Sequence, residues 1–251
     1  MTDKPDVERR NLLRTAAVTA AVLAAANAAN AQANQPSAQK PAVPALRAFE
    51  SQSKPKPHPF DPAKLKGLPE RMLRSRWENN YGSSVKALDV VTKNLEQALA
   101  DKDTPPYIYN ELKREHLLRT GSVVLHEYYF ANLGGSGQAG ASARRALADS
   151  FRSFDTWETE FRRIGVGLGG GSGWVVLGDN TETGQLENYW LADHANSAAA
   201  TLPLLVMDMY EHSHQMDYGA AAAKYIDTFF ANIQWDAVSS RSEATQRLRQ
   251  T

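Results

Sequence analysis

The chain has 251 residues, 28 basic and 28 acidic side chains, and no cysteine. Zero formal charge leaves no basic field for nucleic acid or anionic lipid. Without cysteine there are no disulfide staples and no thiolate metal sites, so any metal would rest on histidine and carboxylate.

The first residues are set aside from the fold. A charged stretch ends in Arg9-Arg10-Asn11-Leu12-Leu13-Arg14, an alanine-rich apolar run follows over 15–29, and Ala29-Asn30-Ala31 has small-x-small cleavage character. That run falls short of the roughly 20 apolar residues that span a bilayer. Residues 1–31 therefore read as a signal peptide. The arginine pair makes it a substrate of the twin-arginine export machinery and predicts a periplasmic or secreted protein. Residues 32–64, rich in Pro, Gln, Ala and Lys, are expected to form a flexible linker, with His58 solvated between two prolines.

Val85, Leu88, Val91, Leu95 and Leu99 recur at helical spacing, and Pro105-Pro106 breaks the pattern firmly. A second helix is predicted over 107–133, stopping at Gly134-Gly135, so 65–135 reads as an antiparallel helical hairpin. Further helix is expected over 142–163, anchored by Phe151, Phe154, Trp157 and Phe161. After a glycine-rich stretch, strands are predicted at 174–177, 186–192 and 204–207, and helix again over 210–232. The fold class is α+β: a helical hairpin, then a C-terminal α/β domain over 136–245 with a small antiparallel sheet of about three strands.

The glycine run 165–173 lacks the Gly-Lys-Ser/Thr ending of a phosphate loop and leads into a strand, so it does not point to a nucleotide. Asp208 and His212 are four apart; on one helix they would share a face and could grip one metal. Their surroundings say more. Gly171-Ser172-Gly173-Trp174, Met207 to His212, Met216-Asp217-Tyr218 and Asn232 to Asp236 resemble the ordered C-terminal signatures of iron/manganese superoxide dismutases. Upstream, Leu125 to Leu133 and Ser75 to Leu88 resemble the two helix segments that each supply a histidine ligand in that family.

The resemblance implies one Fe or Mn per subunit, held by three histidines, an aspartate and a solvent molecule, with superoxide as the substrate. His126, Asp208 and His212 match three of the ligands. His194 stands where the family places an outer-sphere group, often Gln, that hydrogen-bonds the bound solvent and tunes the metal. Trp174 and Tyr210 would line the site. Glu211 resembles a residue that reaches the partner subunit's metal-ligand histidine, implying a homodimer whose interface also takes in His214 and Gln215.

One ligand is missing. The family's first histidine is here Arg76, which is permanently cationic and has no lone pair to give. If it points inward it would pair with Asp208. Asn80 and Ser84 replace a histidine and a tyrosine of the same network, and Ser122 takes a position from which iron-type relatives offer a glutamine. Neither His116, roughly 15 Å from His126 along a helix, nor His214, on the far side of a helix from His212, is expected to fill the gap. Tyr81 and Glu78 remain as oxygen donors only if their helix rotates. The resemblance thus implies an exported dismutase with impaired or altered catalysis, or a catalytically inactive relative, with a binding role or as a three-ligand metal carrier, in which Arg76 pairs with Asp208.

Overall fold

The computed structural model describes residues 46–50 and 53–249, so the signal-peptide segment and the first part of the linker lie outside the described residues. Helix α1 (Glu70–Ser75) continues through a π-helical turn, Arg76–Tyr81, into α2 (Gly82–Ala100). Helix α2 buries Val85, Leu88, Val91 and Leu95, the apolar stripe of a packed helix, whereas Leu99 ends up exposed. Pro106 opens α3 (Pro106–Ala131), where its missing N–H costs nothing, and α2 and α3 pack along one another. At 26 residues α3 is about 39 Å long, but its buried positions, Ser122 to Phe130, all fall in the second half. That half meets the sheet.

The linker was expected to stay flexible up to residue 64, but its second half does not. The Lys56 N–H donates to Tyr81 Oη at 2.9 Å, and the Trp77 indole donates to the Lys56 carbonyl at 2.7 Å. Pro62 is buried. His58 packs against Phe130 at a centroid distance of 4.9 Å and Phe60 at 5.1 Å, with both ring nitrogens shielded from water. The aromatic neighbours at 60, 77 and 130 are what pin this segment, and a reading of local composition does not reach them.

Helices α4 (Ala141–Phe151) and α5 (Phe154–Gly167) are separated by Arg152, whose φ of 69° ends the first, and by Ser153, whose Oγ caps the second through the Thr156 N–H. The sheet is antiparallel with order β2-β1-β3, from β1 (Trp174–Asn180), β2 (Leu186–Leu191) and β3 (Thr201–Asp208). Central β1 pairs Trp174 with Leu191 on one side and Asp208 on the other. Just before it, Gly173 has φ 147°, and an added Cβ would lie 2.3 Å from the Leu191 carbonyl oxygen. Only glycine lets the chain enter the sheet there.

The single helix expected after residue 210 is two, α6 (Glu211–Tyr218) and α7 (Ala222–Phe230), divided at Gly219 with φ 54°. A last helix, α8 (Trp235–Arg249), was not anticipated from a sequence so polar beyond Trp235. It is held by tertiary bonds: Arg241 donates to the Leu204 carbonyl at 2.6 Å, and Arg249 and Thr245 reach the buried Asp179 carboxylate.

Candidate metal centre

Three elements converge where α3 crosses the open end of the sheet. His126 comes from α3, Asp208 is the last residue of β3, and His212 lies in the first turn of α6. One ligand-type atom from each lies within 4.8 Å of the others. Asp208 and His212 do not share a helix face; a strand-to-helix turn at Met209-Tyr210 brings them together. That turn is fixed from both sides. The Tyr210 N–H donates to Asp208 Oδ1 at 2.9 Å, while Tyr225 Oη and Ser213 Oγ donate to the Asp208 carbonyl at 2.8 and 2.9 Å.

Hydrogen bonding also fixes the His126 imidazole. His126 Nδ1 lies 2.7 Å from the Ser122 carbonyl, which can only accept, so Nδ1 carries the proton and Nε2 keeps its lone pair. That Nε2 is buried with no hydrogen-bond partner, as is His212 Nε2, which comes to 3.5 Å from Asp208 Oδ2. Two imidazole nitrogens shielded from water and facing one carboxylate are an unsatisfied polar cluster, and a cation satisfies all three at once. The donor set fits Fe or Mn through three protein ligands.

Arg76 stands beside them, 1% exposed. Its Nη2 is 3.3 Å from Asp208 Oδ2, its Nη1 donates to Tyr129 Oη, and its guanidinium carbon lies 4.7 Å from the Tyr129 ring centre and 5.9 Å from that of Tyr225. The π-helical turn that begins at Arg76 rotates this side chain into the interior; such turns recur at functional sites. Glu78 is exposed on the same turn, and Tyr81 Oη is committed to Glu127 at 2.9 Å, so neither turns toward the cluster.

Burial would raise the Asp208 carboxyl, but Arg76 and then His212 outweigh it and hold it well below the usual carboxylate range. Burial likewise pulls the Arg76 guanidinium down, and the Tyr129, Tyr225 and Asp208 oxygens more than reverse this. His126 is pushed down to about 4, chiefly by burial and against the pull of Asp208. Its neutral form therefore stabilises the metal-free fold fully above the unfolded value near 6.5, and that contribution is lost as pH falls through about 4. The gap is worth about 3 kcal/mol. His58, His194 and His214 are also lowered, first by burial, and act in the same direction. Urea midpoints of metal-free protein should fall steeply between pH 6.5 and 4, and His126→Gln should flatten that fall.

His194 accepts from the Trp174 indole at 3.0 Å through Nδ1 and stacks on Tyr210 at 4.6 Å. An indole only donates, so neutral His194 carries its proton on Nε2. Trp174 also meets His126 edge to face at 5.0 Å, and Tyr210 stacks on His212 at 5.2 Å. Burial, then Asp208, pushes the Tyr210 hydroxyl up to about 12. Of the residues assigned to a dimer interface, Glu211 and Gln215 are exposed. His214 is not: it is buried in its own subunit, 5.5 Å from the Tyr225 ring, because the short α6 turns that face inward. The sequence reading missed the cage of Tyr129 and Tyr225 around Arg76, although Tyr129 is three residues from His126 on one helix face. It also missed the Ser84–Ser122 hydroxyl pair, 2.8 Å apart, that backs His126.

A helical hairpin laid on a small antiparallel sheet, with two histidines and an aspartate gathered at their junction, defines an α+β metalloprotein of mononuclear type. The family model for the C-terminal domain of iron/manganese superoxide dismutases matches residues 139–241. An iron superoxide dismutase of Cupriavidus metallidurans is 45% identical over 192 residues, covering 76% of this chain and 97% of the relative. One from Aquifex aeolicus is 30% identical, covering 77% and 92%, and a manganese superoxide dismutase of Mycolicibacterium smegmatis is 32% identical, covering 66% and 80%. The chain belongs to the iron/manganese superoxide dismutase family.

Proposed function

We propose that this chain is an exported superoxide dismutase that holds one Fe or Mn through His126, Asp208 and His212, with catalysis slowed by Arg76. The observation that carries the reading is the pair of buried, partnerless Nε2 atoms facing the Asp208 carboxylate within 4.8 Å. A bound Fe or Mn supplies the one-electron chemistry by which one superoxide is oxidised to O2 and the next reduced to hydrogen peroxide. The chain's residues supply the rest. His126 and His212 offer lone pairs, and the Tyr210 N–H orients the Asp208 carboxylate that completes the set. Trp174 and Tyr210 wall the site against water, and His194 holds a transferable proton on Nε2.

Export by the twin-arginine route is supported by Arg9-Arg10 ahead of the apolar run and would let metal be loaded before secretion. No helix among the described residues is long and apolar enough to cross a membrane. A homodimer through the exposed start of α6, around Glu211 and Gln215, goes with the same reading.

The second reading is a catalytically inactive relative, and one observation favours it: Arg76 already neutralises Asp208 at 3.3 Å, as a metal would. Elemental analysis of protein purified from its native periplasm, with superoxide consumption followed on the same sample, separates the two. Near-stoichiometric Fe or Mn with turnover is expected. Metal-free, inert protein would leave the Arg76–Asp208 pair as the reason the site persists.

A further inference from the structure

We propose that Gly121 is the positioning residue for His194: its missing side chain lets α3 and the β2–β3 connection touch backbone to backbone, and that contact sets where the imidazole stands. This rests on the proton-holding role given to His194 above. Gly121 lies inside α3, where glycine is disfavoured and nothing in the helix itself requires it. An added Cβ would lie 1.7 Å from the His194 carbonyl oxygen and 2.8 Å from the His194 carbonyl carbon. Both atoms are backbone, so no rotamer change relieves the overlap. Either the helix or the loop must move.

The loop is the part that can move, because Asn196, Ser197, Ala199 and Ala200 are exposed. A groove of about 310 Å3 is lined from α3 by Leu117, Gly121 and Val124 and from the connection by His194 to Ala198, so the two segments face the same space beside their contact. Residue 121 is also next to Ser122, whose carbonyl sets the His126 tautomer. The close approach therefore ties His194 to the helix that carries His126, and the two rings stand 5.7 Å apart. A methyl group at 121 would force the connection away from α3, draw His194 off Tyr210 and break its bond from the Trp174 indole. The rival explanation is that the loop's own turn positions His194, through the Asp193 N–H to Asn196 and the Ala195 N–H to Asp193 at 3.1 and 2.7 Å.

The test uses the full chain, chelated to remove paramagnetic metal, and its tryptophan indole NMR signals, with the Trp174 signal identified through Trp174→Phe. Gly121→Ala should move the Trp174 indole out of its hydrogen-bonded position. Gly135→Ala, whose Cβ would meet the Ile233 carbonyl oxygen at 2.2 Å at a separate site, should leave it in place. Asp193→Ala, which removes the Asp193 side-chain bond of the turn but keeps Gly121, should also leave it. An unmoved signal in Gly121→Ala, or a lost one in Asp193→Ala, overturns the proposal. The Asp193 arm still decides if Gly121→Ala does not fold. On metal-loaded protein, superoxide turnover should fall as far in Gly121→Ala as in His194→Ala, and no further in the double variant; additive losses count against the proposal. If the unmodified protein has no turnover, the dismutase reading fails while the indole signals still decide this one.

Discussion

Arg76→His should tighten metal binding by at least about 100-fold and raise superoxide turnover per subunit. The reason is electrostatic before it is geometric. A guanidinium held against the Asp208 carboxylate repels an incoming cation. At roughly 5 Å and an effective dielectric near 20, each unit of charge is worth about 3 kcal/mol, which is about 100-fold in affinity. Histidine removes that charge and adds a lone pair at a residue that already points inward from the π-helical turn. The variant should pay for this when empty, because Asp208 then lies buried without its cation. So metal-free Arg76→His should melt below the unmodified protein and metal-loaded Arg76→His above it, the gain following metal concentration. Calorimetric titration with Fe(II) or Mn(II), and melting with and without metal, check both halves. Unchanged affinity would mean that Arg76 already swings clear of the bound ion.

The outcome at Arg76 also marks how far the sequence could be read. Its chemistry was legible: a side chain with no lone pair, placed in a helix segment that resembles a ligand-bearing one, can only pair with a carboxylate or leave. The hairpin and the three strands were legible too, because Val85, Leu88, Val91 and Leu95 keep helical spacing and the apolar run at Trp174 is bounded by turns. What could not be read depends on contacts distant in the chain. His58 has the composition of a solvated linker residue and becomes half-buried because Phe60, Trp77 and Phe130 surround it. Helix α8 has little apolar stripe of its own and is held by Asp179 and the Leu204 carbonyl. Asp208 and His212 would share a face only if both were helical; the structure brings them together through the end of a strand, a geometry that four-residue spacing alone does not encode. His214 was placed at a dimer interface by resemblance and is buried by the inward face of α6.

Asp208→Asn, in the metal-free protein, should cost about 3–5 kcal/mol, because it strands a guanidinium in the interior instead of merely losing a contact. Arg76 is 1% exposed, its Nε has no hydrogen-bond partner, and Asp208 is its one anionic contact among the described residues. Tyr129 and Tyr225 cannot take over by ionising. Burial, the largest influence on each, holds both phenols above their usual range, so their rings and hydroxyls can solvate the cation but not neutralise it. For a folded part of about 185 residues the loss corresponds to a melting point lower by roughly 6–20 °C. Arg76→Met alone should be destabilising for the mirror-image reason, leaving the carboxylate without its cation. The double variant Arg76→Met/Asp208→Asn removes both charges and should recover most of the loss, giving a coupling energy of several kcal/mol where independent sites would give almost none. Additive losses would show that the 3.3 Å pair contributes nothing beyond packing. Strong coupling in metal-free protein that vanishes once Fe or Mn is added would show that the ion and Arg76 compete for the same carboxylate oxygen. That competition is what distinguishes a slowed dismutase from a fold that has given up its metal.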